Sequence, residues 1–424
     1  MQLFNKNLIL INFPKILLIL LPGLLITGPF LSDLSISIIA LFFLIYCITE
    51  NNYKYFNNFF FKISFIFYLW ILTCSLVSEN IFFSISTSIF YIRFPIFSIA
   101  VYFLIDSDRG IKKNIFFSLL FFFSILSLDA FFQYYKGFNI LGWQLYEDGR
   151  VSSFFKDKLV LGSYFSRLLP FFFCLLLLNL NFLKKKLLLY YFSLIIFFLA
   201  VICIYISAER SSVFLFFLSF AFLFISLSKN KNIILFAIIL MISMFFISYL
   251  KQDKTYKRLV GHTVHQFTSL ENKNSSNIFD YIPSTHKNLY LIAFNIFFEN
   301  KFFGTGPQTF RIESQKDKYN NNLKTFNTHP HNTYLQLVSE TGFFGFIVVF
   351  ILFLIIVYNS IKHLLFKFRK RILFSDTELC LFSMAIITLW PLIPTGNFFG
   401  NWINIFYYLP VGFILHYSNK KKRL

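Results

Sequence analysis

The sequence predicts an all-α polytopic membrane protein, with about twelve transmembrane helices and one long polar loop. Three observations predict it. Hydrophobic residues make up 57% of the 424 and charged residues only 14%, where an ordinary soluble domain is about a quarter charged. Apolar runs long enough to cross ~30 Å of hydrocarbon recur along the whole chain. The loops between them alternate between rich and poor in Lys and Arg.

The runs fall near 8–27, 31–49, 59–77, 81–105, 115–132, 159–179, 187–206, 212–228, 232–250, 343–361, 378–393 and 402–417. The first contains Lys15 and no small-residue cleavage pattern follows it, so it reads as a span and not as a cleavable signal peptide. With the N-terminus inside, the inside segments hold twenty Lys and Arg. The short outside segments hold five, Lys136, Arg150, Lys156, Lys158 and Arg210. The positive-inside rule therefore puts both termini inside and the long loop outside. The chain divides into a membrane part of about nine helices at 1–250, a polar loop at 251–342 and further membrane helices at 343–424.

The formal charge of +20 would suggest nucleic acid in a soluble protein. Its distribution across the loops assigns it to membrane orientation, and no nucleic-acid partner is expected. Cys47, Cys74, Cys174, Cys203 and Cys380 all fall in or at the end of apolar runs, which predicts buried packing residues without disulfide or metal roles. No fixed-period repeat occurs and the halves do not look alike, which counts against a secondary transporter. Arg93, Arg167 and Asp129 lie within or at the end of spans, where charge is costly. They either pair with one another or line a path for lipid phosphate.

The loop carries five of the seven histidines, His262, His265, His286, His329 and His331, and eleven basic residues from Lys251 to Lys324. Residues 271–277 read as a flexible turn. The apolar run 289–298 is too short to span and suits an interfacial or re-entrant helix. Thr333 and Gln336 have capping-box spacing, so a helix is predicted to start there, with Gly342 ending or breaking it. His331 then lies just before a helix N-terminus, where the dipole disfavours imidazolium and suits a neutral general base. The same position equally suits a histidine that only caps or solvates the loop. His329 with His331, or His262 with His265, could form metal pairs, but no acidic or thiol partners accompany them. Glu147 and Asp148 likewise lack a metal-binding partner motif.

Arg210 sits in the polar break Ser207-Ala208-Glu209-Arg210-Ser211-Ser212 at the outside end of a span. A guanidinium there can grip phosphate bidentately, or pair with Glu209 or a lipid headgroup. Arg258 is a similar candidate, and Arg311 a fainter one.

These residues resemble the O-antigen ligase family, which also includes O-antigen polymerases and protein O-oligosaccharyltransferases. The family pattern is His, then Asn, Ser or Gln, nine residues, Gly, two residues, then Gly, Thr or Tyr. It is met in full by His331, Asn332, Gly342 and Gly345. The glycine-bearing stretch Asn300 to Phe310 is also similar to the family segment preceding the histidine. A second pattern, Arg-x-x-x-Leu, is met imperfectly, because Phe214 stands four residues after Arg210 and Leu215 one later. The motifs occupy roughly the second half of the chain.

The resemblance implies a membrane-embedded glycosyltransferase architecture in a bacterial inner membrane, with cytoplasmic termini and a periplasmic loop. It implies a glycan donor on undecaprenyl diphosphate and an acceptor hydroxyl on lipid A-core or another glycan, both met at the membrane lipid surface, with neither cofactor nor metal. His331 would take the acceptor proton while Arg210 and Arg258 hold the diphosphate. Asn332, Arg311 and His329 would contribute to substrate binding. O-antigen polymerase and protein O-oligosaccharyltransferase are the alternatives within the class. A lipid-linked glycan flippase is the alternative outside it, favoured if His331 and Arg210 lie far apart.

Overall fold

Each of the twelve predicted apolar runs is helical over at least part of its length, since a backbone in lipid has to satisfy its N–H and C=O groups internally. The computed structural model describes residues 2–261, 263–264, 284–320 and 326–422. His262, His265, the 271–277 turn, Lys324 and Arg423 lie outside the described residues. The helices are α1 (Gln2–Ile26), α2 (Pro29–Thr49), α3 (Phe59–Val77), α4 (Ile81–Tyr91), α5 (Arg93–Ser107), α6 (Ile111–Lys136) and α7 (Leu161–Lys184). They continue as α8 (Leu187–Ile206), α9 (Arg210–Ser226), α10 (Lys231–Lys251), α11 (Ser284–Glu299), α12 (Thr333–Phe368), α13 (Asp376–Thr388) and α14 (Asn401–Lys422). No strand occurs among the described residues. Among the described residues nine helical stretches, counting α4 with α5, are long and apolar enough to cross a membrane, and α9 is apolar but shorter. The protein is a polytopic all-α membrane protein.

Burial separates centre from rim. The apolar window of α7 is 83% buried and that of α4–α5 is 78%, while α10 is only 22% buried and α3 28%. α7 packs against α8, α13, α6 and α9, and α5 packs against α14 and α2. All five cysteines are buried, as expected.

Several expected boundaries and pairings are corrected. The 81–105 run turns at Ile92 between α4 and α5. The 378–393 run is helical only over the thirteen residues of α13, about 20 Å of helix. Pro391 and Pro394 stand beyond it, where they cannot continue a helix, and 389–400 runs as a loop. Arg93, Arg167 and Asp129 do not pair with one another. Arg93 pairs with Asp33 at 2.9 Å, Arg167 bonds Ser163, and Asp129 accepts from Ile140 N at 2.9 Å and from the Asn139 and Ser153 side chains. Asp129 and Gln133, which accepts from Ser152 N and Ser153 N, fold the 137–160 segment back onto the end of α6.

The loop is organised by α11 and the start of α12. The predicted short helix at 289–298 is α11, longer at both ends. Its Leu289, Ile292, Ala293 and Ile296 form a small core with Phe310 and Tyr319, and Leu335 packs against it. Asn332 caps α12, accepting from Tyr334 N at 3.0 Å and Leu335 N at 3.1 Å. The expected Thr333–Gln336 capping box is therefore absent. Both side chains are buried against the 389–400 segment and its helix: Thr333 bonds Thr395 and Tyr407, and Gln336 bonds Asn397, Phe398 N and Glu340.

Gly342 breaks α12 as expected, at φ 66° and ψ −172°. A break leaves carbonyls without helical partners, and here each is taken up. Thr305 N, Gly306 N and the Trp70 indole donate to the carbonyls of Ser339, Glu340 and Thr341 at 3.0, 2.8 and 2.8 Å. Phe343 N donates to Lys301 O at 2.9 Å. The glycine-bearing segment thus fits against the break. A Cβ on Gly342 would lie 1.9 Å from Phe302 O, and one on Gly304 (φ 64°) would lie 2.4 Å from the Glu340 carbonyl carbon.

Gly342→Ala combines left-handed backbone with that overlap and should cost about 3 kcal/mol or more. Gly396→Ala, whose Cβ would meet nothing within 4 Å, should unfold at the wild-type temperature. Thermal unfolding of both in detergent checks this, and an unperturbed Gly342→Ala would contradict the account of the break.

Candidate active site

The site is built around His331, whose backbone is left-handed at φ 56°. Non-glycine residues rarely adopt this conformation, although histidine does so more than most. Two bonds fix it in place. Thr395 N donates to His331 O at 2.8 Å, and Asn332 bonds Pro391 O at 2.7 Å through the amide nitrogen not used in capping. Both amide atoms of Asn332 are thus engaged in architecture. The nine-residue spacing of the family motif acquires a cause, because it is the length of helix between the Asn332 cap and the Gly342 break.

Around His331 stand residues from distant parts of the chain. His329 packs at 4.2 Å between ring centroids. His286, on the first turn of α11, meets His331 nearly edge-on at 5.5 Å. Arg210 lies within electrostatic reach of His286 and also of Arg258 and Arg150. Asp148 is ion-paired with Arg150 at 2.8 Å and lies 3.7 Å from Arg258. Burial pushes the Asp148 carboxyl up, but the Arg150 hydrogen bond and the charges of Arg150 and Arg258 hold it below its ordinary value. Asp148 is thereby a partner of arginines. Among the described residues no group of three or more His, Cys, Asp or Glu is arranged to hold a metal.

Glu209 does not pair with Arg210. Its carboxylate accepts from Gly162 N at 2.8 Å, Ser163 N at 3.1 Å and Ser212 Oγ at 2.8 Å, tying the start of α7 to α9. The Arg210 guanidinium turns elsewhere and reaches Thr263 Oγ1 at 3.3 Å. The displaced leucine of the second pattern is also explained. Phe214 is 46% exposed, whereas Leu215 is buried against Ile387 and Ile393, which ties α9 to the loop that holds His331. Arg311 stands on another arm, stacked over Phe83 at 5.4 Å and within electrostatic reach of His329.

The histidines are held neutral. Burial lowers His331, and His286 adds to the effect, while a backbone hydrogen bond to Thr395 opposes it. Burial and then Arg210 lower His286. His329 is pushed down to about 4 by burial, with His331 adding. Asn327 orients the base. Its Oδ1 accepts from Thr328 N at 2.7 Å, so its Nδ2 donates to His331 Nε2 at 2.9 Å. The Nε2 lone pair is therefore directed at Asn327.

Sequence reasoning missed Arg150, His286, Asn327 and the 389–400 loop as site elements. The available signal was weak. Arg150 was one of five outside cations, and His286 one of five loop histidines.

Residues 195–350 match the family model described as O-antigen ligase. The match covers Arg210, Arg258, His286, Arg311 and the His331 motif, and it bears out the resemblance read from that motif. Over this segment the chain is similar to the O-antigen ligase family. No curated protein matches the chain.

A lowered pKa leaves His331 uncharged at neutral pH, with protonation setting in only below the ordinary histidine value of about 6.5. Nitrogen-15 histidine NMR of the protein in nanodiscs should place the His331 midpoint below that value. Arg210→Gln should raise the His286 midpoint. A His331 midpoint at or above about 6.5 would contradict the burial described.

Proposed function

We propose that the protein transfers a glycan from undecaprenyl diphosphate to a sugar hydroxyl of lipid A-core, at the periplasmic face of a bacterial inner membrane. The observation that carries this reading is a buried His331 packed against His286, which lies within electrostatic reach of Arg210, itself within reach of Arg258 and Arg150. That is the division of labour this transfer needs. The acceptor hydroxyl gives its proton to His331 Nε2, and its oxygen bonds the anomeric carbon. The bond from that carbon to the diphosphate breaks, and undecaprenyl diphosphate leaves with its charge held by the arginines. In the free protein the Asn327 amide stands where the acceptor hydroxyl would donate.

Arg210 and Arg258 are the diphosphate ligands of this reading, with Arg150 joining them, since guanidinium groups match phosphate oxygens bidentately. His286 buffers the space between cation and base. The nearness of His331 to His286, and of His286 to Arg210, favours an enzyme over a flippase. A polymerase would use the same groups with a second carrier-linked glycan as acceptor.

The test is transfer in liposomes from a labelled undecaprenyl diphosphate glycan to lipid A-core, with and without chelator. Wild type should form labelled lipid A-core in both arms. His331→Ala should lose about 100-fold or more in rate, and Arg210→Lys about tenfold or more, because lysine cannot hold phosphate bidentately. Growth of longer carrier-linked chains would instead identify a polymerase. Movement of donor between leaflets without a new glycosidic bond, equal in all variants, would refute the enzyme reading.

A further inference from the structure

The loop that holds His331 runs on into a polar cavity of about 360 Å³, lined by Asp33, Thr87, Arg93, Gln308, Phe399 and Asn401 among others. Its size lies at the small end of ligand pockets, roughly 300–1,000 Å³.

The charge arrangement selects the ligand. All three nitrogens of the Arg93 guanidinium have partners. Nε and Nη2 contact Asp33 Oδ1 at 3.0 and 2.9 Å, Nη1 donates to Phe90 O at 2.6 Å, and Nη2 also donates to Asn401 Oδ1 at 3.1 Å. An anion entering here would meet a cation already neutralised, and a carboxylate beside it. A phosphate is therefore a poor occupant. Asp33 Oδ2, Asn401 Nδ2 and Thr87 Oγ1 have no hydrogen-bond partner among the described residues. They offer a strong acceptor, a donor and a hydroxyl, the set that neutral sugar hydroxyls require.

The cavity is also coupled to the candidate base. Thr395 N holds His331 O at 2.8 Å. Two residues on, Asn397 Oδ1 accepts from Gln336 Nε2 at 2.8 Å and from Phe399 N at 2.9 Å. Gln308, which lines the cavity, reaches Phe399 O at 3.4 Å. One short run of chain therefore fixes both His331 and the cavity wall.

We infer that this cavity is a subsite for a neutral sugar unit of the acceptor glycan. The acceptor assignment rests on the glycosyl-transfer reading, whereas sugar binding by itself does not. The test uses the full chain in nanodiscs. Equilibrium dialysis measures binding of labelled outer-core oligosaccharide, delipidated and dephosphorylated, with inorganic pyrophosphate as a separate ligand. Transfer kinetics give KM for acceptor and donor. Thr87→Trp fills the cavity while leaving the Arg93–Asp33 pair intact, and Asp33→Asn removes the carboxylate. Thr87→Trp should weaken oligosaccharide binding and raise acceptor KM about tenfold or more, with donor KM and pyrophosphate binding within about twofold. Asp33→Asn should act in the same direction wherever it folds. Unchanged oligosaccharide binding in Thr87→Trp, absence of binding by wild type, or a shift in donor KM or pyrophosphate binding instead would overturn the inference. Oligosaccharide binding that Thr87→Trp abolishes, in a protein with no transferase activity, would keep the sugar site and remove the glycosyl-transfer reading.

Discussion

The break at Gly342 is the constraint on which the rest of the site depends. A continuous helix through 342 would satisfy its own backbone and need no outside partners. The break presents three carbonyls to be satisfied in a place where bare polar groups are expensive. The 301–306 segment and Trp70 supply those partners, so the break is hydrogen-bonded both to the distal loop and to α3. The short helix 333–341 is then held at both ends, by the 301–306 segment at one and by Asn332 with the 389–400 loop at the other. His331 inherits its position from that arrangement.

Buried polar side chains do the remaining positioning, each acting on backbone groups of a neighbouring segment. Asp129 and Gln133 fold the 137–160 segment and so bring Asp148 and Arg150 into place. Glu209 ties α9 to α7 and directs Arg210 away from its sequence neighbour. Gln336 joins the short helix to the 389–400 loop. Such groups stabilise only when their partners are present, because a buried polar atom without one costs its full desolvation. They therefore specify one arrangement of segments that hydrophobic packing alone would leave loosely defined. The same burial lowers all three histidines, with Arg210 adding to it at His286 and Arg311 at His329.

The Arg93–Asp33 pair shows how much context changes the meaning of a charge. As an isolated intramembrane arginine it was open to a phosphate role. With Asp33, Phe90 O and Asn401 around it, it is a neutralised scaffold for other polar groups. Glu209, the sequence neighbour of Arg210, is engaged by the start of α7, and Arg258 shares Asp148 with Arg150.

The helical spans were legible in the sequence because hydropathy over about twenty residues is a local property that lipid enforces directly. The His331 motif was legible for a related reason, since a cap, a fixed length of helix and a left-handed glycine are all local requirements of backbone geometry. The identity of the cap was misread as Thr333, because the choice between Asn332 and Thr333 was made by the 389–400 loop. The end of α13 was misplaced because an apolar composition continues past the last helical turn. Arg150, His286 and Asn327 could not be chosen from among similar residues, since their roles rest on contacts between segments far apart in the chain. The sequence by itself determined which segments enter the membrane, where one helix had to break and which histidine stands at its start. Only the tertiary structure decided which cations and polar groups surround that histidine, because electrostatic and hydrogen-bond reach is a matter of a few ångströms in space, which position along a chain does not encode.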